Sequence, residues 1–149
     1  MKRIAMAILL ALTAVIAIAA PALAGTVNRA SGEIDLTSVT VYNPDTGGDL
    51  TLEGSLNWRL QLVESRQGTE FHVTGQLQGH LTGIDSVSEE TYQIPVNGSL
   101  NINSPNAEGK AILIARAIAP GPDDNLYLKL QIHVVDGNIN VANITAEIR

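Results

Sequence analysis

Three histidines, one arginine set among isoleucines and two aspartate-bearing loops are the groups in this 149-residue chain with chemistry to offer. His72 and His80 share the polar parity of one alternating run, which raises a metal site, since imidazole is a common zinc ligand. At about 3.3 Å per residue the two lie roughly 26 Å apart in an unbent strand, whereas ligands of one ion lie within a few Å of each other. They cannot chelate together unless the strand folds back. His133 is left to approach either one across strands, but two histidines with no third ligand in view do not define a zinc site. No metal or other cofactor is expected, and the three imidazoles are read as surface or binding groups.

Arg116 is the most informative charge, because it interrupts Ala111-Ile112-Leu113-Ile114-Ala115-Arg116-Ala117-Ile118, a run apolar on both parities. Its parity places it with Ile112, Ile114 and Ile118. If the Ala111, Leu113, Ala115 and Ala117 side faces the core, the isoleucines and the arginine form an outward patch suited to a protein partner or a second subunit, where arginine is enriched. If the faces are reversed, Arg116 points inward and requires a carboxylate, because an unpaired buried charge is prohibitively costly. A third arrangement has its stem over apolar surface and its head in water.

Other chemistry is weakly marked. Asp45 and Asp49 around Gly47-Gly48, and Asp123-Asp124-Asn125 after Pro120-Gly121-Pro122, place oxygens in turns as calcium sites do. Neither has alternate-position ligands closed by a bidentate Glu, so ordinary turn chemistry accounts for both. Gly-x-Ser-x-Gly is absent, and zero cysteines close the thiol route. Glu89 and Glu90 are adjacent and in a strand would face opposite ways. A serine, histidine and aspartate distant in sequence are not marked by spacing. The sequence favours a non-enzymatic role.

Glycan binding usually presents flat aromatic rings, but Trp58, Phe71 and Tyr92 occupy apolar parities where core packing accounts for them. Asn97-Gly98-Ser99 and Asn143-Ile144-Thr145 fit the glycosylation acceptor pattern, which is short enough to occur by chance.

The elements that must hold these residues begin after an export signal. Lys2 and Arg3 precede an uncharged run from Ile4 to Ala20, followed by Pro21 and Ala22-Leu23-Ala24. A basic end, an apolar stretch and a small-x-small site are what a signal peptidase requires. Cleavage after Ala24 is expected. The 17-residue, alanine-rich run falls short of the about 20 residues of a comfortable membrane span, and no cysteine follows it for a lipid anchor. The chain therefore reads as a signal at 1–24 and one domain at 25–149, exported to a periplasm or the medium.

Without residues 1–24 the chain carries 7 Lys+Arg against 15 Asp+Glu, a formal charge of −8. That balance, with no basic run, argues against nucleic acid and anionic membranes as partners. The absence of cysteine leaves packing alone to stabilise the domain.

From Glu33 onward apolar residues recur at every second position, and no segment sustains a 3.6 period. Leu56, Trp58, Leu60 and Leu62 share a face. Phe71, Val73, Leu77 and Leu81 do likewise, opposite His72, Thr74, Gln76, Gln78, His80 and Thr82. Asp136-Gly137 marks a two-residue hairpin between strands at 125–135 and 138–148, with one bulge residue near Ala142, where apolar parity shifts. Asn97-Gly98 gives a second hairpin signal, and Pro95 places its strand at an edge or beside a bulge. Loops at 43–49, 103–108 and 120–124 divide the chain into about seven or eight strands. The fold class is all-β, an antiparallel hairpin-linked barrel, with a two-sheet sandwich as the alternative.

Gly75, Gly79 and Gly83 lie on the inner face of their strand. They make room for a large neighbour such as Trp58 or for sharp coiling. The functional alternative is space for a small ligand inside the barrel, for a carrier or a cofactor-independent enzyme.

Between Gly68 and Arg149 the chain resembles a group of small exported bacterial β proteins with no established activity. The resemblance is carried by Phe71-His72-Val73-Thr74, the spaced glycines to Gly83, Tyr92, Arg116-Ala117-Ile118-Ala119-Pro120-Gly121-Pro122 with Asn125-Leu126, and His133 ahead of Asp136-Gly137. It implies export and a β fold and transfers no catalytic residue. Members of that group often carry cysteines, which this chain lacks.

Overall fold

Period-two patterning is carried into nine strands in the computed structural model, which describes residues 27–65, 68, 70–120 and 126–149. They are β1 (Val27–Asp35), β2 (Thr40–Tyr42), β3 (Asp49–Glu53), β4 (Ser55–Glu64), β5 (Phe71–Asp85), β6 (Thr91–Ser104), β7 (Gly109–Arg116), β8 (Leu126–Val135) and β9 (Asn138–Ile148). All pairing is antiparallel, and the described residues contain no helix. The expected signal peptide and the loop with Asp123 and Asp124 lie outside the described residues.

The large sheet is organised by β5. One of its edges pairs along nearly its whole length with β6, from Phe71↔Ser104 to Ile84↔Thr91. Its other edge takes β4 opposite Phe71 to Gly79 and β3 opposite Thr82 to Asp85. Leu52↔Gly83 and Leu56↔Gly79 keep one register, so β3 and β4 act as a single long strand interrupted at Gly54. Gly54 has φ +117°, and a Cβ there would stand 3.0 Å from the His80 carbonyl oxygen, so the interruption requires glycine. β1 and β2 line the far side of this composite strand. This splitting by short interruptions is why nine strands replace the expected seven or eight.

The small sheet is β7-β8-β9. Asp136 (φ 51°) and Gly137 (φ 72°) form its expected two-residue turn. The ladder passes from Gln131↔Asn143 to Ile132↔Val141, leaving Ala142 as the bulge residue that the parity shift predicts.

The strands do not close into a barrel. Among the described residues the two sheets share one bridge, in which Gln93 and Ile118 exchange backbone hydrogen bonds of 2.7 and 2.8 Å. β9 runs near β1 and β2 without a ladder between them. Closure fails because β6 and β7 meet through side chains: Leu113 sits where a Gly98 Cβ would be, and Ile102 does the same at Gly109. The Asn97-Gly98 hairpin is also corrected. Both residues are mid-strand in β6, opposite Gln78 and Leu77, and Gly98 marks a close approach of neighbouring strands. Pro95 lies exposed in β6, which forms a ladder only with β5, consistent with a missing donor at an edge.

Inner faces of both sheets contribute to one core that includes Leu50, Leu52, Leu56, Leu77, Leu81, Ile94, Leu128, Leu130 and Ile132, all with no exposed surface. The glycines of β5 are filled from the adjoining strands. Added Cβ atoms would lie 2.6 Å from Leu60 Cδ2 at Gly75, 2.7 Å from Leu56 Cδ2 at Gly79 and 2.8 Å from Leu50 Cγ at Gly83. Trp58 instead covers Gly32 of β1, with its Cε2 2.7 Å from that position.

Gly98→Ala should destabilise the domain by about 1–3 kcal/mol through overpacking. Denaturant melts should show a smaller penalty for the same change in a Leu113→Ala background. Equal penalties in the two backgrounds would show that Leu113 does not occupy the Gly98 site.

Candidate functional site

β7 resolves the orientation of Arg116. Leu113, Ala115 and Ala117 are buried, whereas Ile112 is 60% exposed and Ile114 and Ile118 are each 40% exposed. Arg116 is exposed on the same side. The Arg116 side of the strand therefore faces outward, and the inward arrangement is not the one adopted. Cross-strand partners on β8 are Gln131 for Ile112, Lys129 for Ile114 and Tyr127 for Arg116. Tyr127 in turn pairs with Glu147 of β9, while Arg149 lies 5.7 Å from the Tyr127 ring centroid and contacts Glu147 at 2.5 Å. The apolar stripe thus runs along an edge strand, bordered inward by polar and charged residues.

The histidines do not converge. His72 Nδ1 lies 2.5 Å from Asn103 Oδ1, and His80 Nε2 lies 2.6 Å from Gln93 Oε1, so each imidazole of β5 is held by a side-chain amide of β6. His133 belongs to the other sheet, half-buried between Lys110 and Asn140. No group of three metal-ligating side chains occurs among the described residues.

A polar cluster that pattern reading passed over lies at the end of β5. Asp85 continues the inward parity of Val73, Leu77 and Leu81, and its side chain is fully buried. Its Oδ2 accepts from Asn43 Nδ2 and Thr46 Oγ1, each at 2.8 Å. Its Oδ1 accepts from the backbone N–H of Val87 at 2.9 Å and of Ser88 at 2.8 Å, and from Ser88 Oγ at 3.1 Å. Burial disfavours the carboxylate, but the hydrogen bonds from Ser88, Thr46, Asn43 and Val87 outweigh it and hold the pKa down at about 2. Burial pushes the nearby Tyr92 phenol up, opposed by a hydrogen bond with Asn43.

This cluster joins the β2–β3 loop to the β5–β6 loop. Asn43 Oδ1 also accepts from the Asp45 N–H at 3.0 Å, and Ser86 Oγ accepts from the Asp49 N–H at 2.8 Å. Side chains of Asn43, Thr46 and Ser86 thus hold the backbone of the Asp/Gly loop at 43–49. Glu89 and Glu90 lie in the β5–β6 turn, with Glu89 at φ 57°. The signal for Asp85 was available: a carboxylate on the apolar parity of an alternating strand must find donors.

The outer face of the large sheet carries an open trough of about 890 Å³. Two cross-strand rows border it, Arg29–Gln61–Thr74–Asn101 and Ser31–Arg59–Gln76–Ser99. Backbone of the intervening Ala30, Leu60, Gly75 and Leu100 row lies between them. This concavity is outside the sheet, away from the interior in which a ligand site was expected as an alternative.

No family model, no curated protein and no solved structure matches the chain.

Ionised Asp85 contributes stability that is present above its ordinary pKa of 3.8 and is lost as pH falls toward its folded value of about 2. The contribution is at most about 2.5 kcal/mol. Asp85→Asn should lower stability at pH 7 and flatten the loss between pH 4 and pH 2, as read by urea melts across that range. An unchanged acid limb would show that Asp85 is not the titrating group.

Proposed function

We propose that the chain is an exported, non-enzymatic β domain that uses the exposed face of β7 to bind a protein partner or a second copy of itself. The observation that carries this reading is the column Ile112, Ile114 and Arg116 on β7, continued past its end by Ile118, with the three isoleucines 40–60% exposed. Exposed isoleucines on an edge strand are an association hazard unless they are covered. An arginine within such a patch supplies planar hydrogen bonding of the kind enriched at interfaces. The signal-like residues 1–24 support export, with the 25–149 segment acting in a periplasm or outside the cell. The two sheets sharing a core support a sandwich-like arrangement over a ligand-holding barrel.

The alternative, a small-ligand carrier or cofactor-independent enzyme with an internal site, loses its main support because leucines occupy the glycine positions that suggested space.

The mature protein should self-associate in sedimentation equilibrium, or a photo-crosslinker replacing Ile112 should capture one discrete protein in the exporting cell. Ile114→Lys should weaken either association at least tenfold without changing the melting midpoint by more than a few degrees. A monomer that crosslinks to nothing from position 112 contradicts the reading.

A further inference from the structure

The trough on the outer face of the large sheet is chemically unlike the β7 stripe. Arg29 and Arg59 are both exposed there, on adjacent strands. Because Arg29 pairs with Gln61 and Arg59 with Ser31, the two arginines are diagonal neighbours, about 7–8 Å apart at that type of position. No carboxylate among the described residues pairs with either guanidinium. Glu33, opposite Asn57, stands on the same exposed face at the other diagonal from Arg59 without forming an ion pair, so the two guanidiniums outnumber the carboxylates there in a chain of formal charge −6.

The surrounding groups narrow the ligand. Gln61, Thr74, Gln76 and Asn101 offer amides and a hydroxyl, which both donate and accept and so suit hydroxyl groups. The apolar side chains of Leu60 and Leu100 turn into the core, leaving no aromatic or aliphatic anchor of the kind a protein interface places at its centre. Single-stranded nucleic acid would require stacking rings, which the trough also lacks. What remains complementary is a ligand rich in hydroxyls and bearing carboxylates, which guanidinium groups bind in a bidentate manner.

We propose that this trough binds an acidic oligosaccharide, its uronate carboxylates engaged by Arg29 and Arg59 and its hydroxyls by the amide rows. The absence of aromatic platforms, which disfavours neutral glycans, is consistent with recognition through charge. The trough crosses β1, β4, β5 and β6, a span suited to an extended chain. The site is on a different sheet from the β7 stripe and does not depend on it.

Titration calorimetry of the mature protein with hexagalacturonate, its fully methyl-esterified form and polyaspartate tests the proposal. Binding of the acid should exceed that of the neutral ester at least tenfold. Arg29→Gln and Arg59→Gln should each weaken it at least fivefold with unchanged melting behaviour, while Ile114→Lys should leave it unaltered. Equal affinity for acid and ester, binding insensitive to both arginine variants, or no binding of hexagalacturonate overturns the proposal. Polyaspartate binding as tightly as the uronate overturns it as well, by showing a site for negative charge alone.

Discussion

Leucines inserted at glycines along β5 form the contact on which the rest of the structure depends. The inner face of that strand alternates large and small, Val73, Gly75, Leu77, Gly79, Leu81, Gly83 and then Asp85. Each glycine admits a leucine from the composite β3–β4 strand, Leu60, Leu56 and Leu50 in turn. A glycine within a strand costs roughly 0.5–1 kcal/mol relative to alanine, whereas burying a leucine side chain is worth about 1.5–3 kcal/mol. The burial term wins at each step. A domain without disulfides therefore gains a closely packed sheet interior from small residues placed where neighbours must approach.

The same packing bears on the proposed function. Leucines occupy the glycine positions of β5, and on the solvent-facing parity of the strands the two sheets present contrasting surfaces. On β7 that parity is isoleucine with one arginine, suited to an apolar protein contact. Across β1, β4, β5 and β6 it is amide, hydroxyl and guanidinium, suited to a polar ligand. Asp85 closes one end of this arrangement. It is a buried carboxylate with five hydrogen bonds, holding two loops together, and no side-chain polar atom among the described buried groups is left without a partner.

Much of the architecture was legible from alternation because a strand with one dry face has only one acceptable parity. The Asp136-Gly137 turn and the Ala142 bulge are local, and local chemistry determined both. Asn97-Gly98 failed for the complementary reason. The dipeptide can form a tight turn, but tertiary packing of Leu113 against Gly98 made a flat, side-chain-free position the better use of that glycine. Barrel against open sheets was beyond pattern reading, since it turns on whether β6 and β7 exchange one bridge or a full ladder. The β7 stripe could be drawn from sequence as one of two faces, and burial chose between them. The trough could not, because Arg29 and Arg59 become neighbours only through the β1–β4 register.

Native-state hydrogen exchange on the mature protein, resolved by residue, tests the central role of β5 most directly. Amides from Val73 to Leu81 should exchange only through global unfolding, with protection equal to the full stability of the domain and higher than that of β9. If β5 exchanged through local opening while β9 stayed protected, the leucine-and-glycine packing would not be the spine of the fold.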